Sequence, residues 1–327
     1  MTIIILTIAL ALLFDFLNGQ HDAGNAVATS IATRALSPMA ALVIAAVCNF
    51  AAFLVFGLHV AGMIGGGIVS QALMGPQVVL AALISAIIWN TFTLRFGMPS
   101  SSSHALIGGI IGSGIAAGGL GAIHWKSIAI IASAIVISPA VGMVVSMTVF
   151  LLASWIFRKA RPRMVTEGFK RLQIVTCALL SLSHGGNDAQ KTMGLIAALL
   201  FSQGYLGNTF HVPLWVVLAC QTAIAAGTLL GGQRVVGTMG RKITAIKPVQ
   251  GACADIGSTL ALSVATFMGV PVSSTHTITG GIIGAGASRR MSAVRWHVTR
   301  TIVVAWFLTI PAAAAVGFVC LKLVALF

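Results

Sequence analysis

Pro99-Ser-Ser-Ser-Ser-His104-Ala-Leu-Ile-Gly-Gly-Ile-Ile-Gly112 returns 172 positions later as Pro271-Val-Ser-Ser-Thr-His276-Thr-Ile-Thr-Gly-Gly-Ile-Ile-Gly284. At the same offset Cys48 falls on Cys220, Pro76 on Pro248 and Pro139 on Pro311. Nearer the start, an offset of 166 lays Asn18-Gly-Gln-His-Asp22-Ala-Gly-Asn25 on His184-Gly-Gly-Asn-Asp188-Ala-Gln-Lys191. Apolar, glycine-rich segments match one another by chance. Proline, histidine and cysteine coinciding at one offset do not, so the chain reads as two copies of one unit.

The medium of that unit follows from composition. Of 327 residues, 58 % are apolar and only 7 % charged, with 36 glycines. Mean hydropathy is +1.02. A soluble domain carries about 25 % charged residues to face water, so a water-soluble enzyme is excluded. The pattern fits an all-α polytopic membrane protein whose small residues pack helices closely. At roughly 20 residues per span, the length allows about ten crossings.

Lys and Arg number 19 against 5 acids, a net charge of +14. Nucleic-acid binding does not follow, because the bases gather in short clusters between apolar runs. Residues 158–171 hold Arg158, Lys159, Arg161, Arg163, Lys170 and Arg171; 233–247 hold Arg234, Arg241, Lys242 and Lys247; 289–300 hold Arg289, Arg290, Arg295 and Arg300. The positive-inside rule places these three on the cytoplasmic side. Residues 59–76 and 202–213 have no Lys or Arg and are expected outside. The expected organisation is an N-terminal repeat over 1–157, a basic cytoplasmic loop over 158–171 and a C-terminal repeat over 172–327. Five crossings in each half invert the second half and leave both termini outside, in a multi-pass plasma (inner) membrane protein. No cleavable leader is evident, and the first apolar run is taken as the first span. The five cysteines show no metal-ligand spacing and are expected to be free thiols.

Inverted repeats place a transport site between the halves, near mid-membrane, on broken helices and re-entrant hairpins. Two duplicated constellations fit such a site. Asp22 with Asn25, and Asn187 with Asp188, are costly residues for a membrane interior. Neighbouring glycines are expected to unwind their helices, so that carboxylate, amide and freed carbonyl oxygens cage a cation. The alternative is a pair of helix caps. Ser101-Ser102-Ser103 and Ser273-Ser274-Thr275 stand where helices start, and free N–H groups there attract anions. The alternative is two capped hairpins with no ligand. An oxyanion beside Asp22 and Asp188 needs an accompanying positive charge, which points to symport. His21, His104, His184 and His276 lie in these motifs, either relaying protons or hydrogen-bonding backbone at a helix break. Asp255, within an apolar run, is a supporting residue.

At these motifs the sequence resembles the inorganic phosphate transporter (Pit) family, which carries a duplicated signature built on G-A-N-D-V-A-N-A. The likeness covers nearly the whole chain, with four motifs in order. It departs at His21, where many members have Asn, and at Gln190-Lys191, where many have a small residue and Asn. Both departures resemble the bacterial low-affinity permease branch, which carries phosphate with protons, often as a metal–phosphate complex. The resemblance implies oxyanion contacts from Ser101, Ser102, Ser103, Ser273, Ser274 and Thr275. It implies coupling-cation or proton roles for Asp22, Asn25, Asn187 and Asp188. His21, His104, His184, Gln190, Lys191, Asp255 and His276 would support them.

The expected function is therefore import of inorganic phosphate by a proton-coupled secondary symporter. A sulfate permease or a sodium-coupled phosphate symporter are the alternatives within the family. No catalytic residue, resident metal or cofactor is expected. The expected partners are inorganic phosphate, a proton or cation, the lipid bilayer and, as a candidate, a second copy of the chain. A serine hydrolase built on Ser103 and His104 fits poorly, because neighbours at a helix start do not pair as nucleophile and base. A passive channel more often uses basic rings.

Overall fold

The computed structural model describes residues 1–95, 100–231 and 243–326. Pro99, Arg234, Arg241 and Lys242 lie outside the described residues. The described residues form eleven α-helices and no strand; one isolated bridge joins Val69 and Ile123. The first half contains α1 (Thr2–Ala32), α2 (Pro38–Ala51), α3 (His59–Gly66), α4 (Pro76–Arg95), α5 (Ser102–Gly118) and α6 (Trp125–Ile156). The second contains α7 (Pro162–Ser202), α8 (Leu214–Leu230), α9 (Pro248–Phe267), α10 (Ser274–Ala287) and α11 (Trp296–Val324).

Sequence signals set many of these boundaries. Proline opens α2, α4, α7 and α9, where its missing N–H has no intrahelical partner to lose. Ser37 accepts a bond from Ala40 N at the start of α2. Ser101 and Ser273 accept from His104 N and His276 N, capping α5 and α10. Pro139 and Pro311 sit inside α6 and α11 at matching places.

The duplication carries into the packing. α4 and α9 begin and end 172 residues apart, and so do the starts of α5 and α10. A Cβ on Gly109 would lie 2.5 Å from Ala82 O, and one on Gly281 would lie 2.9 Å from Ala254 O, the equivalent carbonyl. Gly108 faces Ile310 O in α11, while Gly280 faces the Pro139 carbonyl in α6. The short α5 therefore packs on the long helix of the other half, and α10 does the same in return. The boundary over 158–171 is thus one of sequence and not a gap between two separately packed bodies.

Three expectations are corrected here. Residues 162–171, read as loop, are the first turns of α7. The unwinding expected at the glycines of the two Asp motifs is absent, since α1 and α7 run continuously through them. Those glycines instead let neighbours approach: a Cβ on Gly185 would lie 2.7 Å from Asn49 Cα, and one on Gly186 would enter the Phe56 ring. One of the five crossings expected in the first half falls over 98–122, and among its described residues there is no continuous span. α5 has 17 residues, about 26 Å at 1.5 Å per residue, against a hydrocarbon core of about 30 Å.

Four described helices are long and apolar enough to cross: Thr2–Ala32, Pro76–Thr93, Trp125–Ile156 and Trp296–Val324. A fifth arises if α2 with its 3-10 extension and α3, bent by 81°, count as one broken span. The burial pattern suits lipid. Val144, Leu151, Phe307 and Leu308 are exposed, whereas Asp22, Asn25, Asp188 and Lys191 are buried. All five cysteines are free.

Candidate functional site

α1 and α7 carry the two Asp motifs past each other, and the N-terminal tips of α5 and α10 close on them. Asp22 Oδ1 lies 2.9 Å from His21 Nδ1. It also accepts from Asn25 Nδ2 at 2.9 Å and Thr275 Oγ1 at 3.3 Å. Its other oxygen accepts from Ser102 Oγ at 3.0 Å. Across the site, Asp188 Oδ1 accepts from Lys191 Nζ at 2.5 Å. Asp188 Oδ2 accepts from Ser274 Oγ at 2.8 Å and lies 3.1 Å from His184 Nε2. Ligand atoms of Asp22, His184 and Asp188 lie within 4.8 Å of one another, so the carboxylates of the two halves share one buried spot.

The tips cross-connect the halves. Ser102 on α5 bonds Asp22 of its own half, and its neighbour Ser103 accepts from Lys191 Nζ at 2.5 Å. Thr275 on α10 takes a bond from Asn25 Nδ2 at 2.8 Å and gives one to Asp22, while Ser274 serves Asp188. Hydroxyls thus donate to the carboxylates, as buried acceptors require.

Other expected residues stand apart from this spot. Ser101 and Ser273 use their oxygens as helix caps, leaving each O–H free to donate. Asn187 points to α9, donating to Thr266 Oγ1 at 2.9 Å. Gln190 pins the start of α3, accepting from Val60 N and Ala61 N and donating to Gly57 O and Gly186 O. Asp255 accepts from Thr29 Oγ1 at 2.6 Å and Thr176 Oγ1 at 2.9 Å. Thr29 is seven residues, about 10 Å of helix, from Asp22, so Asp255 supports α1 and α7 from a distance. The equivalent of Asp255 in the first half is Leu83, so this polar anchor has no twin.

The histidines divide. His21 contacts Asp22, and His184 lies between Asp188 and Asn49 Oδ1, 3.2 Å from the latter. His104 and His276 instead meet ring to ring, and among the described residues no ring nitrogen of either has a hydrogen-bond partner. Backbone bonding at a helix break, one of the two readings of these residues, describes neither. The cation cage of freed carbonyls is also corrected: α1 and α7 run on as helices through both motifs, and among the described residues it is Val272 O, before α10, that joins the site.

Two contributors were not singled out from sequence. Asn18 Oδ1 accepts from Ser102 Oγ at 2.5 Å. Asn49 holds His184 and donates to Thr228 Oγ1 at 2.8 Å. A signal for Asn49 existed: it follows Cys48, and Gln221 follows the matching Cys220, so a polar residue recurs inside an apolar run.

Two buried carboxylates, met by hydroxyl-bearing helix tips inside a helical body with an apolar exterior, define a membrane transporter. The chain belongs to the phosphate transporter family, whose profile matches residues 18–317. Among relatives, it is 56 % identical over 313 residues to a probable low-affinity inorganic phosphate transporter of Rhizobium meliloti (strain 1021), covering 96 % of this chain and 94 % of the relative. A Bacillus subtilis (strain 168) protein of the same description is 42 % identical over 315 residues, with the same two shares. A solved structure described as the sodium-dependent phosphate transporter matches with a TM-score of 0.93 at 27 % identity, covering 100 % of both chains. The family and these relatives are transporters, not enzymes.

Proposed function

We propose that the protein is a secondary active symporter that imports inorganic phosphate together with protons. The observation that carries this reading is the shared spot of Asp22 and Asp188, closed by the tips of α5 and α10. Two carboxylates face one ammonium there, so an entering anion needs further positive charge. Ser102, Ser103, Ser274 and Thr275 supply hydroxyls for the oxyanion, with Ser101 and Ser273 at the helix starts behind them. Asp22, with His21 beside it, takes the proton. Phosphate suits the site because HPO₄²⁻ donates a hydrogen bond to a carboxylate and sulfate does not.

A metal–phosphate complex fits the same chemistry as substrate. Asp22 and His184 are the donors left for its divalent cation, since Lys191 Nζ already occupies Asp188 Oδ1. Sodium coupling is the second reading, favoured by the solved relative described as sodium-dependent. The basic clusters at 158–171, 233–247 and 289–300 support a cytoplasmic side for these segments, with both termini outside and the second repeat inverted.

The test is uptake of labelled phosphate into vesicles reconstituted with the purified chain, under imposed pH or sodium gradients and with sulfate as competitor. Accumulation driven by an inward proton gradient supports the reading. Uptake indifferent to every cation and pH gradient, or equal for sulfate, overturns it.

A further inference from the structure

The two half-sites are one constellation built twice. Asn25 Nδ2 donates to Asp22 Oδ1 at 2.9 Å and to Thr275 Oγ1 at 2.8 Å. Lys191 Nζ donates to Asp188 Oδ1 and Ser103 Oγ, both at 2.5 Å. Lys191 is the sequence mate of Asn25, Asp188 of Asp22, and Ser103 of Thr275. The remaining carboxylate oxygens match too: Ser102 donates to Asp22 at 3.0 Å and Ser274 to Asp188 at 2.8 Å. Each carboxylate also meets one imidazole, His21 at Asp22 and His184 at Asp188, from positions that are not sequence mates. Among the matched donors, the one change of charge is a neutral amide in the first half-site that is an ammonium in the second.

The ammonium fills that place. A third bond runs from Nζ to Val272 O at 2.8 Å, so all three N–H groups are satisfied. Carboxylate, hydroxyl and carbonyl oxygens around one positive centre are the donors a hard cation takes. Lys191 and Asp188 are both buried, with side chains 2 % and 0 % exposed. In that setting a mobile cation beside the ammonium meets a like charge at close range with little screening. The first half-site, with neutral Asn25, has no such resident charge.

We propose that Lys191 is a tethered counter-cation that stands in for one coupling ion at Asp188, so that each phosphate travels with one fewer mobile cation than an amide at position 191 would require. Lys191 is a specificity-determining residue for the ion, and the proposal rests on the symport reading above. Coupling then falls to the Asp22 half-site alone.

The test uses the purified full chain with sodium as probe and Lys191→Asn, which makes the second half-site match the first. At equal sodium concentration the melting temperature of Lys191→Asn rises by about 3 °C more than that of wild type, as expected for a ligand well above its Kd. Phosphate uptake by the variant gains sodium stimulation of roughly tenfold, within the usual range of ligand coupling. Lys191→Arg, which keeps the charge, behaves as wild type towards sodium. Equal sodium shifts in wild type and Lys191→Asn overturn the proposal. Wild type alone supplies a check independent of variant folding: labelled sodium counted at equilibrium gives at most one phosphate-linked ion per chain, and two or more overturn it. Wild-type vesicles that accumulate no phosphate under any gradient defeat the symport reading, whereas the melting and counting results still judge Lys191.

Discussion

His104 and His276, each three residues after the capping serine of its half, meet edge to face with ring centroids 4.6 Å apart. A contact between sequence mates marks the place where the halves are related most closely, so the tips of α5 and α10 are held together beside the carboxylates. His276 also stacks on Trp306 at 4.1 Å. With no hydrogen bond to either ring among the described residues, the contact is one of shape. Replacing a polar ring that makes no bond by an apolar ring of similar shape is nearly neutral. His276→Phe is therefore expected to keep phosphate uptake within about twofold and to leave its pH profile unshifted. A shifted profile would instead make His276 a proton carrier.

Asp22→Asn and Asp188→Asn are both expected to abolish uptake while leaving membrane insertion intact. They differ in stability. Asp188→Asn strands a buried ammonium, and breaking a buried ion pair costs about 3–5 kcal/mol. Asp22→Asn strands no lysine or arginine among the described residues, since Asp22 bonds only His21, Asn25, Ser102 and Thr275. Melting of the two purified variants should show the larger loss for Asp188→Asn; the reverse order would contradict the pairing described here.

Ser102→Ala removes the one O–H proton that Asn18 Oδ1 and Asp22 Oδ2 share, whereas Ser274→Ala removes a proton that serves Asp188 alone. Leaving a buried acceptor short of a donor costs about 1–3 kcal/mol. Ser102→Ala is expected to weaken apparent phosphate affinity and stability more than Ser274→Ala. Uptake curves against phosphate concentration and melting of both variants check this; identical behaviour would mean that the extra bond to Asn18 contributes nothing.

Gly108→Ala tests the interlocking of the halves. Its Cβ would lie 2.6 Å from Ile310 O and 2.9 Å from Ala313 Cβ, too close without backbone movement. Overpacking of this kind costs about 1–3 kcal/mol. A lowered melting temperature is expected, while Gly62→Ala, with nothing within 4 Å of the added atom, should melt as wild type.

Sequence alone determined the membrane class, the duplication and the residues whose burial would be costly. Composition and a two-offset repeat hold whatever the packing, and a carboxylate inside an apolar run signals a site without any coordinates. Local chemistry also determined the starts of α5 and α10, since a serine that caps and a glycine-rich run after it act within a few residues. Tertiary structure decided what those signals could not. The glycines beside Asp22 and Asp188 read equally well as points of unwinding or of close approach, and the choice rests on Ile224, Asn49 and Phe56, which lie far away in sequence. Asn187 and Gln190 sit in the same motif as Asp188, yet helical rotation turns them towards α9 and the start of α3. The pairing of Lys191 with Ser103, and of Asn25 with Thr275, spans 88 and 250 residues. Side-chain direction on a helix and the crossing of α1 with α7 set those contacts, and neither is written in any local stretch of the chain.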